Sequence, residues 1–408
     1  MKKDLNEIAE IVDASGIRGQ TAGVFFPENI FDLQQVIRAG KNITIRGGGS
    51  GLRAGAVPKG SLIVNISKLD KIHEIDVGGK TVYVDAGIIL DDLNNYLAKY
   101  HLEFPIKPSS KHIATIGGMI ATKASDLRTG KSGGIDSWIN ELEILDGKGN
   151  LIKIGKTDIS DFVGMEGITG IVIKAKLRLS YVKNRTASFV KLDSFGRAIE
   201  LARKLRLMQD VSMIELIDRL SSKFLGLEEG YYVIIEYDSS RGKLHEDDYV
   251  KLMKLKESYY KHLASEGFYY FEDFKLYLEK MPKIVDFLEM RGIPFFVNFG
   301  SGVIYPVFNE KQKNFLEDLY KLVRLSQGKV NGGFGVGVLK KKYVDDFDVK
   351  VLRSMKKRYD PDFKFNPNVL IDVVKEERAE FVDEEFDNLI GKVVGTNKFD
   401  DFDDEYRV

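Results

Sequence analysis

The stretch Arg46-Gly-Gly-Gly-Ser-Gly, residues 46–51, carries the clearest chemistry in the chain. Gly47, Gly48 and Gly49 remove the Cβ atoms from a turn that follows the strand-like NITIR directly. Backbone N–H groups in such a turn can converge on an anion, and a phosphate can approach the main chain closely. Arg46 adds positive charge at the edge of the turn, and Ser50, Gly51 and Gly55 extend it. The pattern is not the dinucleotide fingerprint G-x-G-x-x-G, because no helix of the required kind begins inside it. It is not a P-loop either, because no Gly-Lys-Ser/Thr follows. Alone, such a cluster reads equally well as a plain turn. Other reactive side chains are sparse. The absence of cysteine excludes disulfides, thiolate metal sites, iron–sulfur clusters and cysteine nucleophiles within the chain. The histidines, His73, His101, His112, His245 and His262, form no pair at metal-ligand spacing. Asp345, Asp346 and Asp348 read as a solvated helix start, so no catalytic metal is expected.

The elements that must position the turn follow from hydrophobic periodicity. In PENIFDLQQVIRA (27–39), Ile30, Leu33 and Ile37 share one helical face. Strand-like SLIVNIS (61–67) and TVYVDAG (81–87) come next. A helix from about Asp91 to Tyr100 then buries Leu93, Leu97 and Tyr100, with Asp91 or Asp92 as its cap. WINELEILDGKGNLIKI (138–154) has turn residues between two alternating runs and predicts a hairpin. In 172–179, Ile173, Ala175, Leu177 and Leu179 alternate with Lys174, Lys176 and Arg178, as in a half-buried strand. After about residue 183 the texture changes. SFGRAIELARKLRL is an amphipathic helix, YYVIIEYDSS a strand, and 244–291 is largely helical and charged. PFFVNFGSGVIYPVF is strand-rich around a glycine turn, and a helix over 345–358 precedes the turn DPDFKFNPN. No repeat of fixed period is present. The 61 basic and 61 acidic residues balance, which argues against a protein that mainly holds nucleic acid. No apolar run is long enough to span a membrane, and the N-terminus lacks the continuous apolar core of a secretory signal. A cytoplasmic protein is the default expectation.

Four motifs in order resolve the ambiguity of the turn. They are RGGGSGLRAGAVP (46–58), Pro-Ser-Ser at 108–110, ATIGGMIATKASDLRTGKSG (114–133) and GMEGITGIVIKAKLRL (164–179). Together they resemble the PCMH-type FAD-binding domain of the vanillyl-alcohol-oxidase superfamily, on the side of the glycolate oxidase and D-lactate dehydrogenase flavoproteins. The resemblance is strong over about 20–180 and continues more weakly to about 372. It implies an α+β fold: a two-subdomain FAD-binding domain (1–182), an α+β substrate or cap domain (183–344), a C-terminal segment returning to the FAD domain (345–372) and an acidic tail (373–408). It implies that Arg46, Gly47, Gly48, Gly49, Ser50 and Gly51 wrap the FAD pyrophosphate. Pro108 and Ser109 lie in the loop leading to ATIGG. Thr115, Gly117 and Gly118 lie against the pyrophosphate and flavin, the glycines giving backbone donors near phosphate, with Ala121 and Thr122 just beyond. Gly167, Gly170, Ile171 and Val172 run beside the adenine and ribose. Asn366 matches the family's C-terminal Asn-Pro. Relatives that tether flavin through this loop carry histidine where Ser50 stands, and His112 matches no tethering position. Non-covalent FAD is therefore implied.

The second half departs from that family. Relatives that oxidise D-2-hydroxy acids carry GH-x-GDGN-x-H and EHG segments, whose histidines and acid hold a divalent metal and take the hydroxyl proton. FVNFGSGVIYPVF places Asn298 and Tyr305 where histidines are expected, and NGGFGVGVLKK places Gly333 and Phe334 where Glu-His is expected. Asn298 and Tyr305 are the candidate catalytic residues. Tyrosine serves as acid or base if its pKa is lowered, and asparagine orients a hydroxyl. The plainer reading is that Tyr305 packs in a strand and Asn298 satisfies backbone. Two functions follow from the resemblance: hydride removal from a hydroxyl-bearing carbon of a small-molecule substrate, or a flavin-binding subunit without dehydrogenase activity. Expected partners are a separate electron-accepting iron–sulfur subunit and a second copy in a homo-oligomer. The tail, with Phe381, Phe386, Phe399 and Phe402 among acids, is a candidate docking segment; the plainer reading is a solvated tail that packs a few aromatics on the body.

Overall fold

The computed structural model describes residues 9–372, and these divide into two units. The first comprises 9–124, 135–182 and 334–372; the second comprises 125–134 and 183–333. The candidate docking tail from Val373 lies outside the described residues.

Unit 1 contains a crossover made by strand β1 (Val24–Phe25), helix α1 (Ile30–Arg38) and strand β2 (Ile43–Arg46). With β3 (Leu62–Asn65) they form a parallel sheet in the order β1-β3-β2. Parallel strands of one sheet require a crossover connection of this kind. Helix α1 starts where Asn29 accepts a hydrogen bond from the Asp32 N–H, and it buries Leu33, Val36 and Ile37. Ile30, expected on that face, is only half-buried.

A second, antiparallel sheet contains β4 (Ile72–Asp76), β5 (Thr81–Asp85), β6 (Ile139–Leu145), β7 (Leu151–Gly155) and β8 (Ile171–Arg178). Its order is β7-β6-β8-β5-β4. The β6–β7 hairpin turns at Asp146, whose carboxylate accepts the N–H groups of Lys148 and Asn150. Along β8, Ile173, Ala175 and Leu177 are buried while Lys176 and Arg178 face solvent. Helix α2 (Leu90–Ala98) departs from expectation at its start: its cap is Ile89, with no side-chain bond, and Asp91 and Asp92 lie in the first turn. The reason is local. The 111–114 backbone supplies acceptors instead, Ala114 to the Leu90 N–H and Lys111 to the Asp91 N–H. That exchange also fixes the segment entering helix α3 (Ile116–Ala121).

Unit 2 is built on an antiparallel sheet of β9 (Thr186–Leu192), β10 (Val211–Ile217), β11 (Tyr231–Tyr237), β12 (Phe295–Asn298) and β13 (Val303–Phe308), in the order β9-β11-β10-β12-β13. Every residue of β10 and β11 is buried, so both faces are covered. Its longer helices are α4 (Phe195–Leu205), α5 (Glu246–Ser265), α6 (Met281–Glu289) and α7 (Leu316–Leu325). The chain is back in unit 1 from Phe334, and there α8 (Asp346–Tyr359) follows, with Asp346 and Asp348 in its first turn. Beyond α8, Phe365 bridges in parallel to Ile43 at the edge of β2.

Two stretches fall across the boundaries expected from sequence. Residues 125–134, expected within 1–182, pack with unit 2, because Arg128 and Leu127 bond to Glu236 and Asn298. Residues 334–344, expected in the cap, pack with unit 1, because Val336 and Gly337 bond to Glu166. Among the described residues no helix is long and apolar enough to cross a membrane.

Candidate functional site

The turn 47–51 leaves β2 with its backbone donors unused. Among the described residues, no protein acceptor takes the N–H of Gly47, Gly48, Gly49, Ser50 or Gly51. Successive orphan donors on permissive backbone are what an anion cradle requires. The packing beneath explains the glycines. A Cβ on Gly47 would strike the Thr115 hydroxyl, and one on Gly48 would strike the Ile113 carbonyl. Gly49 has a φ of +69°, and its Cβ position is filled by the Arg46 guanidinium. Gly51 instead faces open space, with nothing within 4 Å of its Cβ position. The turn is closed on its protein side and open on the other, which fits a pyrophosphate.

Arg46 lies under the turn. Its guanidinium donates to the Val12 carbonyl at 2.9 Å and the Ala56 carbonyl at 3.4 Å, and burial lowers its pKa despite the nearby Asp13. Its charge is thus spent first on holding the loop. Thr115 caps α3, accepting the Gly118 N–H at 3.2 Å. Here the expectation from sequence fails. The Gly117 N–H donates to the Ala86 carbonyl at 2.6 Å, so neither Gly117 nor Gly118 has a spare donor for phosphate. Gly117 is glycine because a Cβ would lie 2.9 Å from Ala86 Cβ. Pro108 accepts the Lys111 N–H in the loop before α3, and Ser109 lies in the same turn. Ala121 ends α3, and Thr122 donates back to the Gly118 carbonyl at 2.9 Å.

Asn366 joins three segments of unit 1. Its Oδ1 accepts the Ile45 N–H at 2.7 Å, its Nδ2 donates to the Glu166 carbonyl at 2.5 Å, and its own N–H donates to the Ile43 carbonyl at 2.8 Å. Its φ of +40° suits asparagine. Gly167, at φ +77°, passes so close that a Cβ would lie 2.7 Å from Asn366 Nδ2. A Cβ on Gly170 would lie 3.0 Å from the Leu145 carbonyl, and Ile171 and Val172 are buried opposite Leu145 and Ile144.

In unit 2, Asn298 is fully buried. Its Nδ2 donates to the Leu127 carbonyl at 3.0 Å and its Oδ1 accepts the Ser301 N–H at 3.1 Å. Tyr305 stacks on Phe296 with ring centroids 4.5 Å apart. Burial, reinforced by Asp273, raises its pKa well above the ordinary tyrosine value. A lowered pKa, which a base role at Tyr305 requires, is not what this environment produces. Gly332 and Gly333 both donate backbone N–H groups to Asp273 Oδ2, at 2.6 and 2.7 Å. Arg128 forms a two-point pair with buried Glu236 at 2.6 and 2.7 Å, to which the Ser212 and Tyr249 hydroxyls also donate.

The FAD binding domain family matches residues 21–155, and the family of FAD linked oxidases, C-terminal domain, matches residues 303–370. Over these two stretches the chain is similar to the FAD-linked oxidases. A D-2-hydroxyglutarate dehydrogenase of Stutzerimonas stutzeri is 22% identical, covering 85% of this chain and 90% of the relative. A D-lactate dehydrogenase of Archaeoglobus fulgidus is 23% identical over the same shares, 85% and 90%. A mitochondrial D-2-hydroxyglutarate dehydrogenase of Arabidopsis thaliana is 23% identical, covering 86% and 75%. FAD is the cofactor, and the chain is an FAD-dependent oxidoreductase. Two features of it escape a sequence reading. Glu166 is a buried carboxylate inside a glycine-rich loop, marked only by a charge among apolar neighbours. The Arg128–Glu236 pair spans 108 positions, and neither residue has a local signal.

Proposed function

We propose that this protein oxidises the hydroxyl-bearing carbon of a small 2-hydroxy acid with non-covalently bound FAD. The observation that carries the reading is the row of unused donors at 47–51, joined to relatives named for D-lactate and D-2-hydroxyglutarate. When bound, flavin would supply a two-electron acceptor for the hydride of the substrate C–H bond, with the hydroxyl proton going to water and a 2-oxo acid as the product. The protein's part is to hold and orient. The 47–51 donors receive pyrophosphate, Thr115 and Ile113 fix the turn from below, and Asn366 ties β2 to the 166–167 loop. Ser50 in place of histidine supports the absence of a tether. A separate protein holding an iron–sulfur centre is the proposed electron acceptor, since a chain without cysteine supplies no thiolate ligands for such a centre.

A second reading is favoured by unit 2: a flavin-binding subunit that lacks dehydrogenase activity of its own. Both polar ends of Asn298 are engaged, and Tyr305 is a poor base. Anaerobic mixing of the FAD-loaded protein with D-lactate, D-2-hydroxyglutarate and other 2-hydroxy acids separates the two. Bleaching of the yellow flavin by one of them is the expected result. Persistent oxidised flavin across the panel, with rapid reduction by dithionite, would instead establish the second reading.

A further inference from the structure

Glu166 meets the other flavin-site segments of unit 1 through nearly all of its polar atoms. Its N–H donates to the Ala121 carbonyl at the end of α3 at 2.8 Å, and its carbonyl accepts from Asn366. Its buried carboxylate accepts the Val336 N–H at 2.6 Å on Oε1 and the Gly337 N–H at 2.9 Å on Oε2. Two glycines make room for it. A Cβ on Gly335 would lie 2.9 Å from Oε1, and one on Gly55 would lie 3.1 Å from Oε2. The same loop is fastened to the continuation of the glycine turn, where the Val338 N–H donates to the Arg53 carbonyl at 2.9 Å. We infer that Glu166 is a positioning residue of the flavin site, fixing the 335–337 loop onto the segment that continues the 47–51 cradle.

This inference rests on the proposed FAD site and adds a control over its shape. Burial pushes the Glu166 carboxyl up to about 7, against the Val336 and Gly337 N–H groups and the Arg53 charge, which favour ionisation. Arg53 is the charged group facing it; Ala121, Asn366, Val336, Gly337, Gly55 and Gly335 carry no titratable side chain. The fastened loop therefore holds a proton more tightly than a solvated glutamate, whose pKa is about 4.3. Protonation favours the fastened arrangement, and ionisation favours release. The effect builds as pH rises from about 4.5 to about 7 and levels off above that.

Hydrogen exchange of the Val336 and Gly337 amides, corrected for intrinsic rates and measured without flavin between pH 5 and 8, tests this directly. Protection should fall about tenfold or more as pH rises through that window. Glu166→Gln, neutral and isosteric, should flatten the profile. Glu166→Ala, which leaves two backbone donors without an acceptor, should raise exchange at every pH and weaken FAD binding about tenfold. A flat wild-type profile, or unchanged FAD affinity in Glu166→Ala, overturns the inference. Should Glu166→Ala fail to fold, the wild-type and Glu166→Gln profiles decide alone. A wild-type chain that binds no FAD overturns the functional reading instead, and the flavin-free exchange series still decides whether Glu166 anchors the loop.

Discussion

At Tyr305 the phenol sits against the Phe296 ring, and burial beside Asp273 disfavours its ionised form. A residue in that setting contributes ring packing more readily than proton transfer. Tyr305→Phe keeps the ring and removes only the hydroxyl. If the protein oxidises a 2-hydroxy acid, single-turnover flavin reduction in this variant should stay within about threefold of wild type. General acid–base catalysis lost would cost about 100-fold or more, and a drop of that size would restore Tyr305 as the catalytic group. Asn298 follows the same logic. Its two hydrogen bonds hold Leu127 and Ser301, so its role is to shape unit 2.

The excursion 125–134 is tied to the rest of unit 2 by one ion pair and one asparagine, and Gly130 packs on the Gly300 backbone. Burial opposes the charge on Glu236, but Arg128 and the Ser212 and Tyr249 hydroxyls outweigh it and hold the carboxyl near about 2. Because the folded value lies below the unfolded one, this group stabilises the fold above about pH 4.5. That contribution is lost as pH falls toward 2, and it amounts to about 3 kcal/mol. Arg128→Ala should cost about 3–5 kcal/mol in denaturant unfolding, toward the lower end because the arginine side chain is 22% exposed. A variant as stable as wild type would show that the pair does not hold the excursion. These elements are legible in the sequence to different degrees. The alternation in 172–179 and the Asp146 turn are local and predict β8 and the β6–β7 hairpin directly. The excursion is not legible, because its partner is 108 residues away. The start of α2 misleads for a related reason: acceptors from the 111–114 backbone replace the side-chain cap that its aspartates suggest.

Across the molecule, the ordered glycine motifs announce a flavin site, yet they do not distribute its tasks. Gly117 and Gly118 read as phosphate donors, but their N–H groups are committed to Ala86 and Thr115. Gly47 and Gly48 are glycine because of what lies beneath them, and the same contraction leaves their donors unused. Glu166 and Asn366, far apart in sequence, bring the last motif and the return segment to the first. The proposed seat of FAD is the 47–51 turn. Titration of flavin-free protein with FAD, followed by flavin fluorescence, tests it in wild type and in Gly48→Ala, whose added methyl would collide with the Ile113 carbonyl. One FAD per chain in wild type, with binding lost or weakened about 100-fold in a variant that retains wild-type secondary structure, is the predicted result. Equal affinity in the two proteins would contradict the assignment of the cradle.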